Sequence, residues 1–322
     1  MSAERPRGPV VVTGGAGAIG AILVGQLLQR GHEVRVVDNL SSGRADHLDL
    51  LAHPTSLRLT VGDLREDGPW AEQFRGAEAV WHLAANPNIR AGTENPRLDL
   101  EHGTIATFRM LEAARRYSVP KIYFSSSSVV YGYPTQFPTP EDYGPLAPQS
   151  LYGASKLASE GLLTAYSSCY GMRVHLFRFA NIIGPYMTHG ILYDLYQKLA
   201  HDPTTLEVLG DGRQAKSYLR TEDCVAAMLW VADHATDAVN IYNLGTRDRI
   251  SVREIAEKVV HSMGDRAKIV YTGGSQGWAG DVPQQLLAID RLERLGWSPA
   301  HTSADAIDRT IEELRGPPPG SA

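Results

Sequence analysis

The chain has 322 residues, 43% of them hydrophobic and 21% charged, with a formal net charge of −5. That balance fits a soluble globular protein with a sizeable core, and the absence of a Lys/Arg cluster on any predicted helix argues against a nucleic-acid partner. No run of about 18 apolar residues suggests a membrane span, and the two cysteines, Cys169 and Cys224, show no metal-ligand spacing and read as buried or inert thiols.

The opening MSAERPRGPVVVTGG passes from a polar leader into a strand without a signal-peptide core, which predicts a cytoplasmic protein. PVVVT (9–13), EVRVVD (33–38), LRLTV (57–61), AEAVWHL (77–83), KIYF (121–124) and RVHLFRF (173–179) are nearly continuous apolar runs. Such runs read as buried strands covered on both faces. Between them AIGAILVGQLLQRG, LEHGTIATFRMLEAARRYS and SLYGASKLASEGLLTAYSSCYG place apolar residues at helical spacing, and two of these end in a capping Gly. The repetition predicts an α/β, Rossmann-like, doubly wound parallel sheet.

Beyond residue 190 a helix to about 201, a short run LEVLG, a return to the sheet at TEDCVAAMLWVAD (221–233) and VNIYNLG (239–245), a helix from Ser251 and a final helix over 303–315 are predicted. The tail GPPPGSA reads as disordered. Residues 1–182 plus 213–245 are expected to form a dinucleotide-binding domain, with 183–212 plus 246–322 as a smaller, discontinuous C-terminal substrate-binding lobe.

VVVTGGAGAIG sets Gly14, Gly17 and Gly20 between a strand and a helix, where a pyrophosphate can approach the helix N-terminal amides. A tight strand–helix turn also uses glycine, but the second strand ends in Asp38, 18 residues beyond Gly20. That spacing suits a carboxylate on the adenosine ribose and would repel a 2′-phosphate, so NAD is favoured over NADP, with Arg44 near enough in sequence to soften the preference.

SLYGASK puts Tyr152 and Lys156 four residues apart, on one helix face. A phenol is a poor base at neutral pH, but a lysine ammonium one turn away would lower its pKa. Alone this is also an ordinary amphipathic pair. With the glycine turn, Asp38 and the serine run FSSSSVVYG ending a strand upstream of Tyr152, it reads as a proton-transfer site. The serine run then reads as a strand end that offers a hydroxyl to the substrate oxygen.

TGGAGAIG, VVDNLSSG, GDLRE, HLAAN, FSSSSVVYG, PTPEDYGPLAPQSLYGASK, RFANIIGP and GDGRQAKSYLRTED, in this order, resemble the extended short-chain dehydrogenase/reductase family. Within it the chain is similar to the nucleotide-sugar epimerases of the UDP-glucose 4-epimerase type, over roughly residues 9–315. The resemblance implies bound NAD, a UDP-hexose substrate epimerised at C4, and a homodimer paired through helices at 97–118 and 150–170. It implies no metal. For the cofactor it implies Gly14, Gly17, Ala18, Ile19 and Gly20 around the pyrophosphate, Asp38, Asn39 and Leu40 at the adenosine ribose, and Asp63 and Leu64 at the adenine. Leu83, Ala84, Ala85 and Ser125 would line the cofactor, and Lys156 would hold the nicotinamide ribose. Ser127 and Tyr152 would be catalytic with Lys156. Asn181, Tyr186, His189, Lys216 and Trp278 would meet the sugar nucleotide, while His82 reads as structural.

Family 4,6-dehydratases carry Asp and Glu after the catalytic Thr, and decarboxylases typically Glu at the second position. Here those positions are Ser128 and Val129, which disfavours elimination of water or loss of carbon dioxide. Other departures are Pro87 for a frequent Lys, Gly103 for an Asn, Lys216 for an Arg, and Trp278 for the Arg of R-x-G-D. The last weakens the bidentate phosphate clamp that guanidinium groups make. Gln285 falls near the position that governs room for an N-acetyl group.

Overall fold

A computed structural model describes residues 8–49, 51, 55–278 and 280–315; the polar leader and the GPPPGSA tail lie outside the described residues. Val10–Thr13 (β1), Val34–Asp38 (β2), Leu57–Val61 (β3), Ala79–His82 (β4), Lys121–Ser127 (β5) and Arg173–Phe179 (β6) join Val239–Leu244 in one sheet. The order is β3–β2–β1–β4–β5–β6–(239–244), as expected for the parallel doubly wound class. β1 pairs in parallel with β2 on one side and β4 on the other, Val10 standing beside both Val34 and Ala79. The strand order reverses at β1, and such a reversal opens a ligand crevice at the carboxyl ends of the strands.

β1 and β4 are buried throughout, which is why their β-branched and aromatic residues run without polar alternation. LRLTV departs from the expectation of a buried strand: β3 closes one edge of the sheet, and Val61 is 65% exposed. The helices Ala18–Gln29 and Leu151–Tyr170 fall where predicted, and Gly31 and Gly171 beyond them take left-handed backbone at φ +81° and +71°.

The expected helix over 100–118 begins earlier and is not uniform. Pro96–Asp99 is α-helical, Leu100–Ile105 forms a π-helical widening, and Ala106–Arg116 is α-helical again. Within the widened turn only glycine fits at position 103, because a Cβ there would lie 2.4 Å from Ser155 Oγ. On this helix Leu100, Ile105 and Phe108 are exposed.

The chain divides into two compact units. The first comprises Met1–Ser126, Ala154–Phe177 and Ala232–Ile241, with a core that includes Val80, Phe74, Met110, Ile122, Leu163 and Leu176. The second comprises Ser127–Gly153, Arg178–Val231 and Tyr242–Ala322, with a core that includes Leu192, Leu199, Leu206, Ile255, Val259 and Ile307. Of the two stretches expected to return to the sheet, Val239–Leu244 does so, whereas Thr221–His234 is an α-helix, its apolar run being long enough for several helical turns. Two parallel pairs in the second unit, Asn181–Ile183 with Tyr218–Arg220 and Lys268–Tyr271 with Thr205–Val208, escaped the sequence reading except for the run LEVLG. They are too short for a period of two to stand out from loop sequence. The cysteines differ from each other: Cys224 is buried, which pushes its thiol up, but Cys169 is exposed and not a core residue.

Candidate active site

In the first unit the loop after β1 is shaped by what it excludes. Gly14 has φ +71°, and a Cβ there would lie 2.6 Å from the Ala84 nitrogen. A Cβ on Gly20 would come within 2.2 Å of the Gly14 oxygen, so the helix can pack this closely only with glycine. Gly17 is different. It caps the helix with extended backbone at φ −76°, and a Cβ there would meet only the Gly14 oxygen at 3.3 Å. Gly17, Ala18 and Ile19 are half-buried at the end of the helix where backbone N–H groups and the dipole favour an anion. The residues fit a dinucleotide pyrophosphate.

Asp38, the last residue of β2, is buried, and its two carboxylate oxygens accept N–H bonds from Ala16 (3.0 Å) and Leu40 (2.9 Å). These bonds fix the carboxylate beside the glycine turn and leave lone pairs for ribose hydroxyls. Leu40 adopts φ +57° to make its bond. Arg44, the residue that could have favoured a 2′-phosphate, is turned to Asp46 on the surface. Asn39 donates to Asp63 Oδ2 at 3.1 Å, and the Arg65 guanidinium grips both Asp63 oxygens and holds that carboxyl well below its usual range. Leu64 is buried beside them, while Leu83, Ala84 and Ala85 are half-buried at the end of β4, with the Leu83 N–H on the Thr13 carbonyl.

Lys156 lies in the same unit and is 2% exposed. Its ammonium donates to the Ser125 carbonyl at 2.6 Å and sits 4.7 Å from the centre of the Phe124 ring. Burial pulls it down to about 7, against the opposing pull of Glu160 and Asp99. Ser125 Oγ donates to the His82 carbonyl, and His82 itself bridges Thr13 (2.6 Å) and Thr107 (3.0 Å). Burial, aided by Lys156, pushes the His82 imidazole down to about 3, so it is neutral and structural.

In the second unit β5 hands over to a tight turn, Ser128–Tyr131, which Ser127 caps by accepting the Val129 N–H at 3.4 Å. The serine run is thus a strand end, as expected. A Cβ on Gly153 would lie 3.0 Å from the Val129 oxygen, so this turn abuts the first turn of the helix that carries Tyr152. Tyr152 is half-buried, one turn before Lys156 on that helix. A buried network supports the turn: Tyr131 donates to Asn243 Oδ1 (2.7 Å), and Arg178 donates to Tyr131 (3.0 Å) and to the Glu141 carbonyl (2.9 Å). Val129 offers no proton-transfer group, and Ser128 is its neighbour in the turn.

Of the residues read as substrate contacts, Asn181 turns its amide to the Ser217 carbonyl at 3.1 Å, and Lys216 ion-pairs with buried Asp281 at 2.6 Å. The other Asp281 oxygen accepts the Gly277 N–H at 3.0 Å, which ties Lys216 to the glycine-rich loop holding half-buried Trp278. Gln285 is buried and accepts the Ser217 N–H at 3.1 Å. Tyr186 has left-handed backbone at φ +64°, and burial pushes the His189 imidazole down. The sequence reading missed Ser126, Asp99 and Glu160 around Lys156, and Asp281 as the partner of Lys216. Glu160 follows Lys156 by four residues, the one signal that could have found it.

The sequence model described as the NAD dependent epimerase/dehydratase family matches residues 10–245. The chain is 30% identical over 311 residues to the putative UDP-glucose 4-epimerase of Methanocaldococcus jannaschii, covering 95% of this chain and 98% of that protein. It is 32% identical over 314 residues to the UDP-glucose 4-epimerase of Mycolicibacterium smegmatis, with the same coverage. UDP-glucuronic acid decarboxylase 1 of Xenopus tropicalis matches at 28% identity over 97% of this chain and 73% of its own length. Among solved structures, a UDP-galactose 4-epimerase superposes with TM-score 0.86 at 40% identity, covering 95% of this chain and 98% of the other. The Thermus thermophilus UDP-glucose 4-epimerase complex with NAD superposes with TM-score 0.81 at 29% identity, over 96% and 99%. A dTDP-glucose 4,6-dehydratase from Streptomyces venezuelae, with NAD bound, does so with TM-score 0.85 at 29% identity, over 94% and 95%.

Proposed function

The chain belongs to the NAD-dependent epimerase/dehydratase family, and within it we propose that it acts as a UDP-hexose 4-epimerase. What supports this reading is that the chain carries Ser127, Tyr152 and Lys156 at the family's positions together with a Val129 that cannot move a proton. Elimination or decarboxylation asks for a further acid or base where valine stands. Transfer of a hydride asks for one proton shuttle.

Gly14, Gly17 and Gly20 would hold the pyrophosphate of NAD, Asp38 its adenosine ribose and Lys156 its nicotinamide ribose. NAD, when bound, supplies a reversible acceptor for the hydride of the sugar C4. Tyr152 as phenolate takes the proton of the 4-hydroxyl, and Ser127 hydrogen-bonds that oxygen. With the hexose turned about its phosphate linkage, C4 would take the hydride back on its other face, which inverts that carbon, while Tyr152 returns its proton to the 4-oxygen. A tightly held cofactor follows from this cycle, because no net oxidation occurs.

A second reading, oxidoreduction or epimerisation of another sugar nucleotide such as a UDP-glucuronate or UDP-N-acetylhexosamine, is favoured by one observation. Lys216 is engaged with Asp281, and Trp278 stands where the family clamp usually has arginine. Incubation with UDP-glucose and with UDP-galactose separately, with no added cofactor, separates the readings. The first predicts the same mixture of the two sugars from either side. Stoichiometric oxidised sugar, or turnover confined to other sugar nucleotides, would refute it.

A further inference from the structure

Two successive residues at the end of β5 each hold one residue of the helix Leu151–Tyr170. The Ser125 carbonyl accepts Lys156 Nζ at 2.6 Å, and Ser126 Oγ donates to Glu160 Oε1 at 2.5 Å. Lys156 and Glu160 are one turn apart on that helix, and both are buried, Glu160 at 5% exposure. A buried carboxylate is costly unless it is hydrogen-bonded and balanced by a cation. A serine hydroxyl supplies the bond but no charge.

We propose that Glu160 is a positioning residue for the reaction: it keeps Lys156 cationic and locks the helix of Tyr152 to the strand end that leads into Ser127. This rests on the roles given above to Tyr152, Lys156 and Ser127. The groups that face Lys156 are Glu160 from its own helix, Asp99 from the segment Pro96–Asp99, and His82 from β4. His82 is neutral. Asp99 is buried with one oxygen on the Asn86 amide at 2.9 Å and the other without a hydrogen bond among the described residues, and burial pushes its carboxyl up. Glu160 is therefore the carboxylate best placed to balance the lysine. Without it only Asp99 opposes the effect of burial on Lys156, and the ammonium is lost at lower pH, where the phenolate depends on it.

Glu160→Gln keeps the volume and the acceptor for Ser126 while removing the charge. The acid limb of the kcat–pH profile is expected to move up by about one unit, giving roughly ten-fold lower kcat on that limb. Ser126→Ala frees the carboxylate to shift away from Lys156 and should move the limb in the same direction by less. The phenol of Tyr152, read as the ultraviolet difference between each variant and its Tyr152→Phe counterpart without sugar nucleotide, should titrate at correspondingly higher pH. An unchanged midpoint in folded Glu160→Gln, or in Ser126→Ala where Glu160→Gln does not fold, overturns the proposal, as does a loss of kcat that is uniform across pH. If the catalytic reading itself is wrong, Tyr152→Phe leaves turnover intact, while the phenol titration still reports on Glu160.

Discussion

Tyr152→Phe is expected to lower kcat by about 10³-fold, the range in which a positioned general base acts. The substitution removes one oxygen and leaves the ring, so the half-buried packing of the helix start is retained. Lys156 stays bonded to the Ser125 carbonyl, a contact that does not involve Tyr152, so cofactor retention should be unchanged. Steady-state kinetics together with the amount of NAD that co-purifies checks both halves. Undiminished turnover would remove Tyr152 from the proton transfer, whereas loss of NAD along with activity would assign it to binding instead.

The glycine turn gives the second large effect, and it separates binding from folding. At Gly17 the backbone is already in a conformation open to any residue, and a methyl group would meet only the Gly14 oxygen, which has to give by a few tenths of an ångström. Gly17→Ala should therefore cost at most about 1 kcal/mol of stability. The methyl group would stand where an anion reaches the helix amides, and losing one or two charge-assisted bonds there should weaken NAD about 100-fold. Gly20→Ala places its Cβ against the Gly14 oxygen and the Gly15 backbone, contacts that cannot yield without moving β1 or its helix. A destabilisation of about 3 kcal/mol or more is expected, in the upper range for overpacking. Thermal melts and NAD titrations on the two variants read out the difference. Equal melting temperatures for the two, or NAD binding by Gly17→Ala as tight as that of the parent, would contradict the assignment.

The first half of the fold was readable because its signals are local. VVVT and RVHLFRF are long enough to show burial on both faces, and the glycine turn with Asp38 lies inside one strand–helix–strand unit. LRLTV misled because an apolar run does not reveal which strand closes the edge; only the pairing order does. Within the π-helical widening at Leu100–Ile105, Gly103 packs closely against Ser155, fifty-odd residues away, and no period in the sequence encodes that contact. The same limit hid the engagement of Lys216 by Asp281, because charge partners distant in sequence are chosen by the fold. Ser127, Tyr152 and Lys156 were legible as residue types at a spacing. What surrounds Lys156 was legible only in part, since Glu160 sits at the i+4 position but Asp99 and Ser126 arrive from other elements.

The measurement that bears most directly on the account is the fate of a label at the reacting carbon. UDP-galactose deuterated at C4 should yield UDP-glucose that keeps deuterium at C4 through many turnovers, with no solvent hydrogen entering that position. Loss of the label to water, or its appearance in free cofactor in proportion to product, would contradict a hydride that leaves and returns within one bound complex.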